Sequence, residues 1–284
     1  MYIFNELNEV NFESVVKFLE HYKNVSDNVF NVTTEAALEL STHIKEGLIN
    51  AISEIHPDYD ASLEERLERA RETFRNSKSI FTTNYDLLLY WICLIDNTSS
   101  PCHNMKDLLW NSFQYGEDVN GLWDNDIGIY YLHGGLHIFP SSFSGVEKIS
   151  TGSRHTLCEE IQNKIQNDHL PLFITEGTSE NKLQMISSNN YLSHCFRELV
   201  KCPDQLVVHG HSLNLEFDEH IVKAIGKSYH KHNKSKIYIS VFDFENRQDV
   251  LGSYAVSIRE AIKSYFPQST EFIFYNATTH PLAT

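Results

Sequence analysis

The chain has 284 residues, enough for one large domain or two small ones with a sizeable buried core. Apolar residues make up 41% of the sequence and charged residues 21%, a balance typical of folded proteins rather than disordered ones. The 38 acidic residues outnumber the 23 basic ones, so the net charge is −15. This charge argues against binding to nucleic acid or to an anionic membrane surface.

The sequence predicts a soluble protein. No stretch reaches the ~18 consecutive apolar residues that a membrane span requires, and the first nine residues lack the features of a signal peptide. The five cysteines lie at positions 93, 102, 158, 195 and 202 and include no Cys-x-x-Cys pair. Since neither a disulfide framework nor a zinc site follows from this pattern, we expect a reducing, cytoplasmic location.

The first 77 residues are predicted to be helical and to form a cap or small subdomain. Apolar residues recur at helical spacing in three segments: 12–19, 40–52 and 63–74. Asn11 is a suitable N-cap for the first segment, and Pro57 ends the second. Ser62 and Glu65 have the spacing of a capping box for the third.

From residue 78 to residue 284, short apolar runs alternate with helical segments. The predicted strands cover residues 79–82, 129–132, 172–175, 206–208, 237–241 and 272–275. The predicted helices cover residues 87–95, 157–165, 191–200, 217–229 and 250–265. Such alternation is typical of an α/β fold with a mostly parallel sheet and helices on both faces.

Ligand sites of open α/β sheets lie beyond the carboxyl ends of the strands, so the residues that follow the predicted strands are informative. The first set follows the strand at 79–82 and consists of Thr83, Asn84, Tyr85 and Asp86. Asn84 and Asp86 are good helix caps. The alternative is that they present an amide and a carboxylate to a bound polyol such as a ribose.

The second set follows the strand at 129–132 and begins with His133, Gly134 and Gly135. A histidine in this position is either a satisfied structural residue or a group that transfers protons near neutral pH. The glycines permit close approach of a ligand to the backbone, and both interpretations stay open. His137 lies four residues after His133, but the two glycines disfavour the helix that a metal pair needs.

The third set follows the strand at 206–208 and contains His209, Gly210, His211 and Ser212. A strand that runs into Gly-x-Ser resembles a backbone cradle for phosphate or ribose hydroxyls. His209 and His211 would share one face of an extended segment, which permits a metal pair. Because no third ligand lies nearby in sequence, we predict a turn with a polar lining and no metal.

Several common motifs are absent from the sequence. They are the Gly-x-Ser-x-Gly elbow, the Gly-x-x-x-x-Gly-Lys-Ser/Thr loop and the His-Glu-x-x-His helix. The usual markers of serine hydrolases, nucleoside triphosphatases and zinc proteases are therefore missing. The run from His230 to Lys236 is predicted to be a solvated connection, and a metal-dependent hydrolase built from the 15 histidines is a further hypothesis.

Taken in order, the three strand ends resemble the sirtuin-like family. Residues 83–86 resemble the sirtuin segment whose Asn and Asp contact the nicotinamide ribose, and His133-Gly134 resembles the catalytic His-Gly. Residues 210–213 resemble the Gly-x-Ser-Leu turn that holds the adenosine side of NAD. The resemblance covers most of residues 10–245 and implies a Rossmann-like core.

A closer similarity links the chain to bacterial sirtuin-like proteins that are found among phage-defence genes. It is carried by residues 173–177, 190–192, 210–213 and 218–221. Many prokaryotic members of the family are NAD glycohydrolases that deplete NAD in infected cells. Its deacylases usually carry a four-cysteine zinc module, which the cysteines of this chain cannot form.

The resemblance implies that NAD is a substrate and that no other cofactor or metal is required. Breaking the C–N bond to nicotinamide gives the ribose oxocarbenium character, so a positioned water and charge-stabilising groups are needed. By resemblance, Asn84 positions the ribose and the water, His133 is the base, and Asp86 supports the site. The residues expected to bind the dinucleotide are Thr83, Tyr85, Gly134, Gly210, His211 and Ser212.

The start of the sequence departs from the family. Sirtuin-like chains open with a strand and a Gly-x-Gly-x-Ser or similar loop that cradles the pyrophosphate. Here Met1 to Leu7 leads directly to Asn11, in a segment that follows that loop in relatives. Either the start codon is internal, or the native protein lacks part of its pocket and relies on a second subunit.

Two functions follow from the sequence. The first is an antiphage effector that hydrolyses NAD and is activated by an infection-sensing, nucleotide-binding partner or by oligomerisation. The second is a catalytically silent, sirtuin-like nucleotide-binding or regulatory subunit, which the missing loop favours. Both describe a cytoplasmic protein that works in a complex and contacts neither nucleic acid nor membrane.

Overall fold

The structure is a computed structural model of the chain and describes most residues from 59 onward. The described ranges are 59–95, 105–109, 126–141, 145–149, 157–167, 169–174, 178–242 and 248–280. Before residue 59 it describes positions 19, 22, 25, 26, 39, 40, 43, 46, 47, 49, 50, 54, 56 and 57. Those up to position 54 are helical, as predicted. The predicted cap Asn11 and the segment 175–177 lie outside the described residues.

Helix α1 (Ala61–Thr73) begins after Asp60, whose carboxylate accepts the N–H of Leu63 at 2.7 Å. Asp60 has an extended backbone and is therefore the N-cap; the capping box predicted at Ser62 and Glu65 is wrong. The predicted apolar face is confirmed, since the leucines and the alanine of its stripe are buried.

The first sheet consists of three parallel strands. They are β1 (Ser79–Thr82), β2 (Met105–Lys106) and β3 (Ile127–Tyr131), in the order β1-β3-β2. Helix α2 (Leu88–Cys93) follows β1. All five residues of β3 are buried, as expected for a central parallel strand that is covered on both faces.

An antiparallel hairpin and three helices follow the first sheet. The hairpin consists of β4 (Ile138–Ser141) and β5 (Gly145–Lys148). The helices are α3 (Leu157–Gln166), α4 (Ser179–Ser188) and α5 (Asn190–Lys201). The sequence predicted α3 and α5, but neither β2, nor the hairpin, nor α4.

The second sheet also has three parallel strands. They are β6 (Val207–Val208), β7 (Lys236–Val241) and β8 (Glu271–Asn276), in the order β6-β7-β8. Helix α6 (Leu215–His232) connects β6 to β7, and helix α7 (Gln248–Ile262) lies between β7 and β8. The α/β class and the parallel strand pairing are therefore confirmed, but the described strands form two parallel sheets rather than the single sheet that was predicted.

Two apolar cores hold these elements together. The larger core surrounds β3 and β7 and includes Ile129, Leu192 and Ile239. The second core joins α1 and α2 to β4 and α3 and includes Leu67 and Trp91. Helix α1, from the first 77 residues, therefore packs directly on elements from the rest of the chain.

Two further sequence predictions are corrected by the structure. Residues 172–174 do not form a regular strand, because only Phe173 makes a bridge, to Gly134. His230 to His232 form the last turn of α6, which Asn233 ends in a left-handed conformation, rather than a connection outside a helix. Within the described part of the chain, each helix is too short or too polar to traverse a bilayer.

Candidate functional site

The polar residues singled out in the sequence lie beyond the carboxyl ends of β1, β3 and β6. β1 and β3 are neighbours, and Thr82 pairs with Tyr131 at the end of the ladder. Asn84 and His133 each follow this pair by two residues. The register therefore brings these two sequence-predicted residues to the same edge of one sheet.

The turn after β1 is organised by side-chain hydrogen bonds. Thr82 Oγ1 accepts the backbone N–H of Asn84 at 3.0 Å, and Asn84 Nδ2 donates to Asp86 Oδ2 at 3.2 Å. The other oxygen of Asp86 accepts the N–H of Leu88 at 2.9 Å, at the start of α2. Asp86 thus has the capping role that its position suggested, and it also orients the exposed amide of Asn84.

Tyr85 is turned toward the protein. Its hydroxyl donates to the carbonyl of Ile174 at 3.1 Å, and its ring meets Phe173 edge-to-face at 4.8 Å. Its carbonyl accepts the N–H of Leu136 at 2.9 Å. These contacts fix the turn after β1 against the segment that follows β3, so Tyr85 has a structural role whether or not a ligand binds.

The turn after β3 is filled by protein backbone. Gly134 has a positive φ of 82°, and a Cβ placed on it would lie 1.9 Å from the carbonyl oxygen of Leu172. Gly135 donates to that same oxygen at 3.1 Å, and Ile174 donates to the carbonyl of His133 at 3.0 Å. Gly134 is therefore required by the neighbouring chain segment.

His133 is buried, with 2% of its surface exposed, and is hydrogen-bonded to His220 of α6. The two Nε2 atoms lie 3.0 Å apart, so one donates to the other. Ser179 Oγ lies 3.1 Å from Nδ1 of His220 and accepts the backbone N–H of His220 at 2.7 Å. Ser179, His220 and His133 form a continuous chain of exchangeable protons.

Both histidines are held in the neutral state. Burial, and secondarily the neighbouring His220, holds the pKa of His133 well below its usual value of 6.5. Burial likewise lowers the pKa of His220 to about 4, although the carboxylate of Asp218 opposes this shift. The same burial opposes their protonation, so the pair suits passing a proton along the hydrogen bond better than holding it.

A buried ion pair lies beside these histidines. Lys182 of α4 is 1% exposed, and its ammonium lies 3.2 Å from Oδ1 of Asp218. The other oxygen of Asp218 lies 3.7 Å from Nε2 of His211, in the turn after β6. Asp218 has a non-helical backbone (φ −130°, ψ 23°) that kinks the first turns of α6. Asp218 therefore lies between the pair His133 and His220, beyond β3, and His211, in the turn after β6.

His133, Asp218 and His220 also have the spacing of metal ligands, since their donor atoms all lie within 4.8 Å of one another. The ammonium of Lys182 already neutralises the carboxylate in this group. A divalent cation would have to displace or repel that ammonium. The donor set therefore fits a hydrogen-bonded network better than a metal centre.

The turn after β6 differs from the one after β3 because it faces open space. Gly210 has a φ of 65°, and nothing lies within 4 Å of the position where its Cβ would be. Its N–H donates to Ser240 Oγ at 2.8 Å, and His211 Nδ1 accepts the N–H of Leu213 at 2.9 Å. Burial lowers the pKa of His211, and Ser212 is exposed.

One cleft of about 1610 Å³ joins the ends of β1 and β6. Its lining includes six of the predicted site residues: Thr83, Asn84, Asp86, Gly210, His211 and Ser212. Tyr85, His133 and Gly134 are not among the described residues that line it. The structure therefore brings the turns after β1 and β6 to one cleft, whereas Tyr131 and Leu132 line it at the end of β3 but the following turn does not.

The sequence did not reveal the residues that surround His133. Ser179 and Lys182 lie on α4, which the sequence did not predict, and no motif marks either residue. Asp218 and His220 were part of a similarity to other proteins but had no role assigned. A buried lysine is the clearest sign of a buried polar network, but the sequence does not show which lysine is buried.

The fold and the site define a mixed α/β protein whose polar residues gather at the carboxyl ends of parallel strands. A family model described as Domain of unknown function (DUF4917) matches residues 1–281, and the chain belongs to this family. The description of the family names no activity, substrate or partner. A search of the curated proteins finds none that matches the chain.

Proposed function

We propose that the protein is a NAD glycohydrolase that converts NAD and water into nicotinamide and ADP-ribose. The observation that carries this proposal is the position of Asn84 and His133 at equivalent points beyond adjacent parallel strands. A sugar bound in the cleft at this edge of the sheet would contact Asn84, and His133, which does not line the cleft, would act on it through an intervening water. The proposal also rests on the resemblance of the strand ends to sirtuin-like NAD sites.

The strand orders support a Rossmann-like arrangement. β1 and β6 border the cleft, while the orders β1-β3-β2 and β6-β7-β8 lead away from it. In doubly wound folds, nucleotides bind at the point where the strand order reverses. We infer that the two parallel sheets are the two halves of one such fold, with the cleft at the switch point.

In the reaction, the electrons of the C–N bond pass to the nicotinamide nitrogen as the bond breaks. The oxygen of a water molecule then bonds to the ribose carbon and loses a proton. Asp86 holds the amide nitrogen of Asn84, which leaves the amide oxygen to accept a hydrogen bond from the water or from a ribose hydroxyl. His133 receives this proton, the hydrogen bond between the two Nε2 atoms shares it with His220, and the nearby carboxylate of Asp218 offsets the charge.

The turn after β6 supplies the remaining contacts to the dinucleotide. Gly210 leaves its backbone open to close approach, and the hydroxyl of Ser212 is exposed. The cleft is lined by neutral groups at this end, which suits ribose hydroxyls better than phosphates. By resemblance, the cellular role is NAD depletion during phage infection, in a cytoplasmic complex with an infection-sensing partner.

The proposal is tested by measuring NAD, nicotinamide and ADP-ribose in bacteria that express the chain, with and without phage infection. We expect NAD to fall in infected cells and both products to rise. Asn84→Ala and His133→Ala should abolish the loss, while Asn76→Ala should not. Asn76 is an exposed residue that lines the same cleft before β1, so it controls for the substitution itself.

A second candidate is a nucleotide-binding subunit without catalytic activity. It is favoured by the burial of His133, which leaves the base without direct access to the cleft. Titration calorimetry of the purified protein with NAD distinguishes the candidates. If the purified protein binds NAD but infected cells form no nicotinamide or ADP-ribose, the silent subunit is supported. If the protein neither binds NAD nor forms these products, every nucleotide-based proposal is contradicted.

A further inference from the structure

Each of the two parallel sheets ends in an open edge, and both edges border the same cleft. Among the described strands, β1 pairs only with β3, and β6 pairs only with β7. All residues of β1 and β6 line the cleft. The space between the sheets is therefore bounded on two sides by strands that have only one partner among the described strands.

Alternate backbone groups at these two edges face away from their own sheets. Gly128 donates to the carbonyl of residue 78, and Leu132 donates to that of residue 82, so residues 78, 80 and 82 face β3. The residues between them, Ser79 and Phe81, consequently direct their N–H and C=O groups away from β3. Tyr238 donates to the carbonyl of residue 206, and by the same alternation Val207 faces away from β7.

Exposed apolar side chains are concentrated around this cleft. Five large apolar side chains are exposed in the described part of the chain, and three of them line it: Val207 at 65%, Phe242 at 44% and Tyr254 at 58%. The charged residues in the lining are Lys78, Asp86 and Asp204. An apolar and nearly uncharged surface on a chain of net charge −15 indicates an interaction site.

The cleft is larger than a small ligand needs. Its volume of about 1610 Å³ exceeds the roughly 300–1,000 Å³ typical of small-molecule sites. Its lining extends from Asn76 and Ser77, before β1, to Asn84, beyond the other end of that strand. The cleft thus follows the full length of β1, as a strand paired with β1 would.

We propose that this cleft binds one extended β-strand from another polypeptide, which pairs with β1 and β6 and joins the two sheets. The strand is uncharged and rich in β-branched residues, because a central strand of a parallel sheet is buried on both faces. A second copy of this chain is a poor occupant, since two surfaces of charge −15 repel each other. The inference rests on backbone groups and does not depend on NAD.

The test uses a probe strand, Thr-Val-Val-Val-Val-Thr, fused after Thr284 through a Gly/Ser linker of about 40 residues, which gives a high effective concentration. The readout is the hydrogen-exchange rate of the backbone amides of Ser79, Phe81 and Val207. We expect exchange to slow by about tenfold or more in the fusion. A control fusion, Thr-Pro-Val-Pro-Val-Thr, should give no protection because proline lacks the N–H donor.

A variant of the chain itself completes the test. Val207→Pro removes an N–H that faces the cleft and is not needed by the ladder with β7, so the chain should fold and lose the protection. Val207→Ala keeps the N–H and should retain it. The proposal is overturned if the probe protects none of these amides. The proposal is also overturned if these amides are already protected in the chain without the probe. Protection that persists on dilution would come from another part of the same chain, and protection that dilution abolishes would come from a second copy.

Discussion

The turns after β3 and β6 look alike in sequence and differ in structure. Each begins with a histidine and a glycine and follows a predicted strand. At Gly134 the space beside the backbone is occupied by the carbonyl of Leu172, whereas at Gly210 the corresponding space is open. One turn is therefore part of the protein interior, and the other is part of a cleft.

This difference shows that a glycine after a strand can indicate close approach to the backbone, but does not indicate whether a ligand or another part of the chain approaches it. The group that approaches Gly134 belongs to the same chain, so its substitution should primarily affect stability. The surroundings of Gly210 are free, so its substitution should primarily affect binding. The following predictions separate the two turns, from the largest expected effect to the smallest.

Gly134→Ala should lower the free energy of unfolding by about 4 kcal/mol, since the new Cβ meets a backbone oxygen in a left-handed conformation. Urea denaturation measures the loss. Gly135→Ala is the matched control, because its nearest neighbour would lie 3.4 Å away and its loss should be much smaller. Equal losses in the two variants would show that the contact with Leu172 is not the cause.

Asp218→Asn should destabilise the protein by about 3 kcal/mol, because it leaves the ammonium of Lys182 buried without a counter-charge. The variant Glu219→Gln, at the adjacent position, removes a more exposed ion pair with Lys223. Its free energy of unfolding should fall by less than about 1 kcal/mol. Thermal or urea unfolding of both variants provides the comparison. A loss at Asp218 no larger than that at Glu219 would contradict a buried pair.

Acidification should destabilise the interior around the buried turn. Burial lowers the pKa of His137 to about 3 and that of His220 to about 4, whereas unfolded histidine titrates near 6.5. As the pH falls from 6.5 toward 4, the unfolded state binds protons that the folded state does not. Each such histidine reduces the unfolding free energy by up to ~1.4 kcal/mol per pH unit.

His137→Phe tests this pH dependence. The His137 ring stacks on Tyr90 at 4.4 Å, and neither ring nitrogen has a hydrogen-bond partner in the described part of the chain. Phenylalanine should therefore keep the packing, and the free energy of unfolding should fall less steeply between pH 6.5 and 4.5 in this variant. Urea titrations at several pH values measure the slope, and an unchanged slope would show that His137 does not titrate as described.

Gly210→Ala should reduce stability by only about 1 kcal/mol, since its left-handed φ is unfavourable for alanine but no neighbour is contacted. If the NAD proposal holds, the same variant should weaken NAD binding by about tenfold, or 1.4 kcal/mol. Calorimetry measures the affinity, and urea denaturation measures the stability. Unchanged affinity would remove Gly210 from the proposed NAD site.

Much of the fold was predictable because local patterns specify it. The strands at β1, β7 and β8 and the helices α3 and α5 agree with the sequence within one or two residues at each end. The predicted strand at 172–175 failed because an apolar run also suits a buried, irregular segment that forms a single bridge. The hairpin of β4 and β5 was missed, and Ile138 and Phe139 at its start are both buried rather than alternating.

The candidate site was predictable only in part. Its exposed members, such as Asn84, Asp86 and Ser212, were found because polar residues after strands are visible in sequence. Its buried members, Lys182 and His220, were not, because nothing near them in sequence marks them as neighbours of His133.

By itself the sequence determined the alternating strands and helices, and it placed polar groups and glycines after three of the strands, because periodicity and backbone preference act over a few residues. Only the tertiary structure decided that His133 bonds to His220, 87 residues away, and that Gly134 is closed while Gly210 is open. Those outcomes depend on which distant segments pack together, and packing is a property of the whole chain.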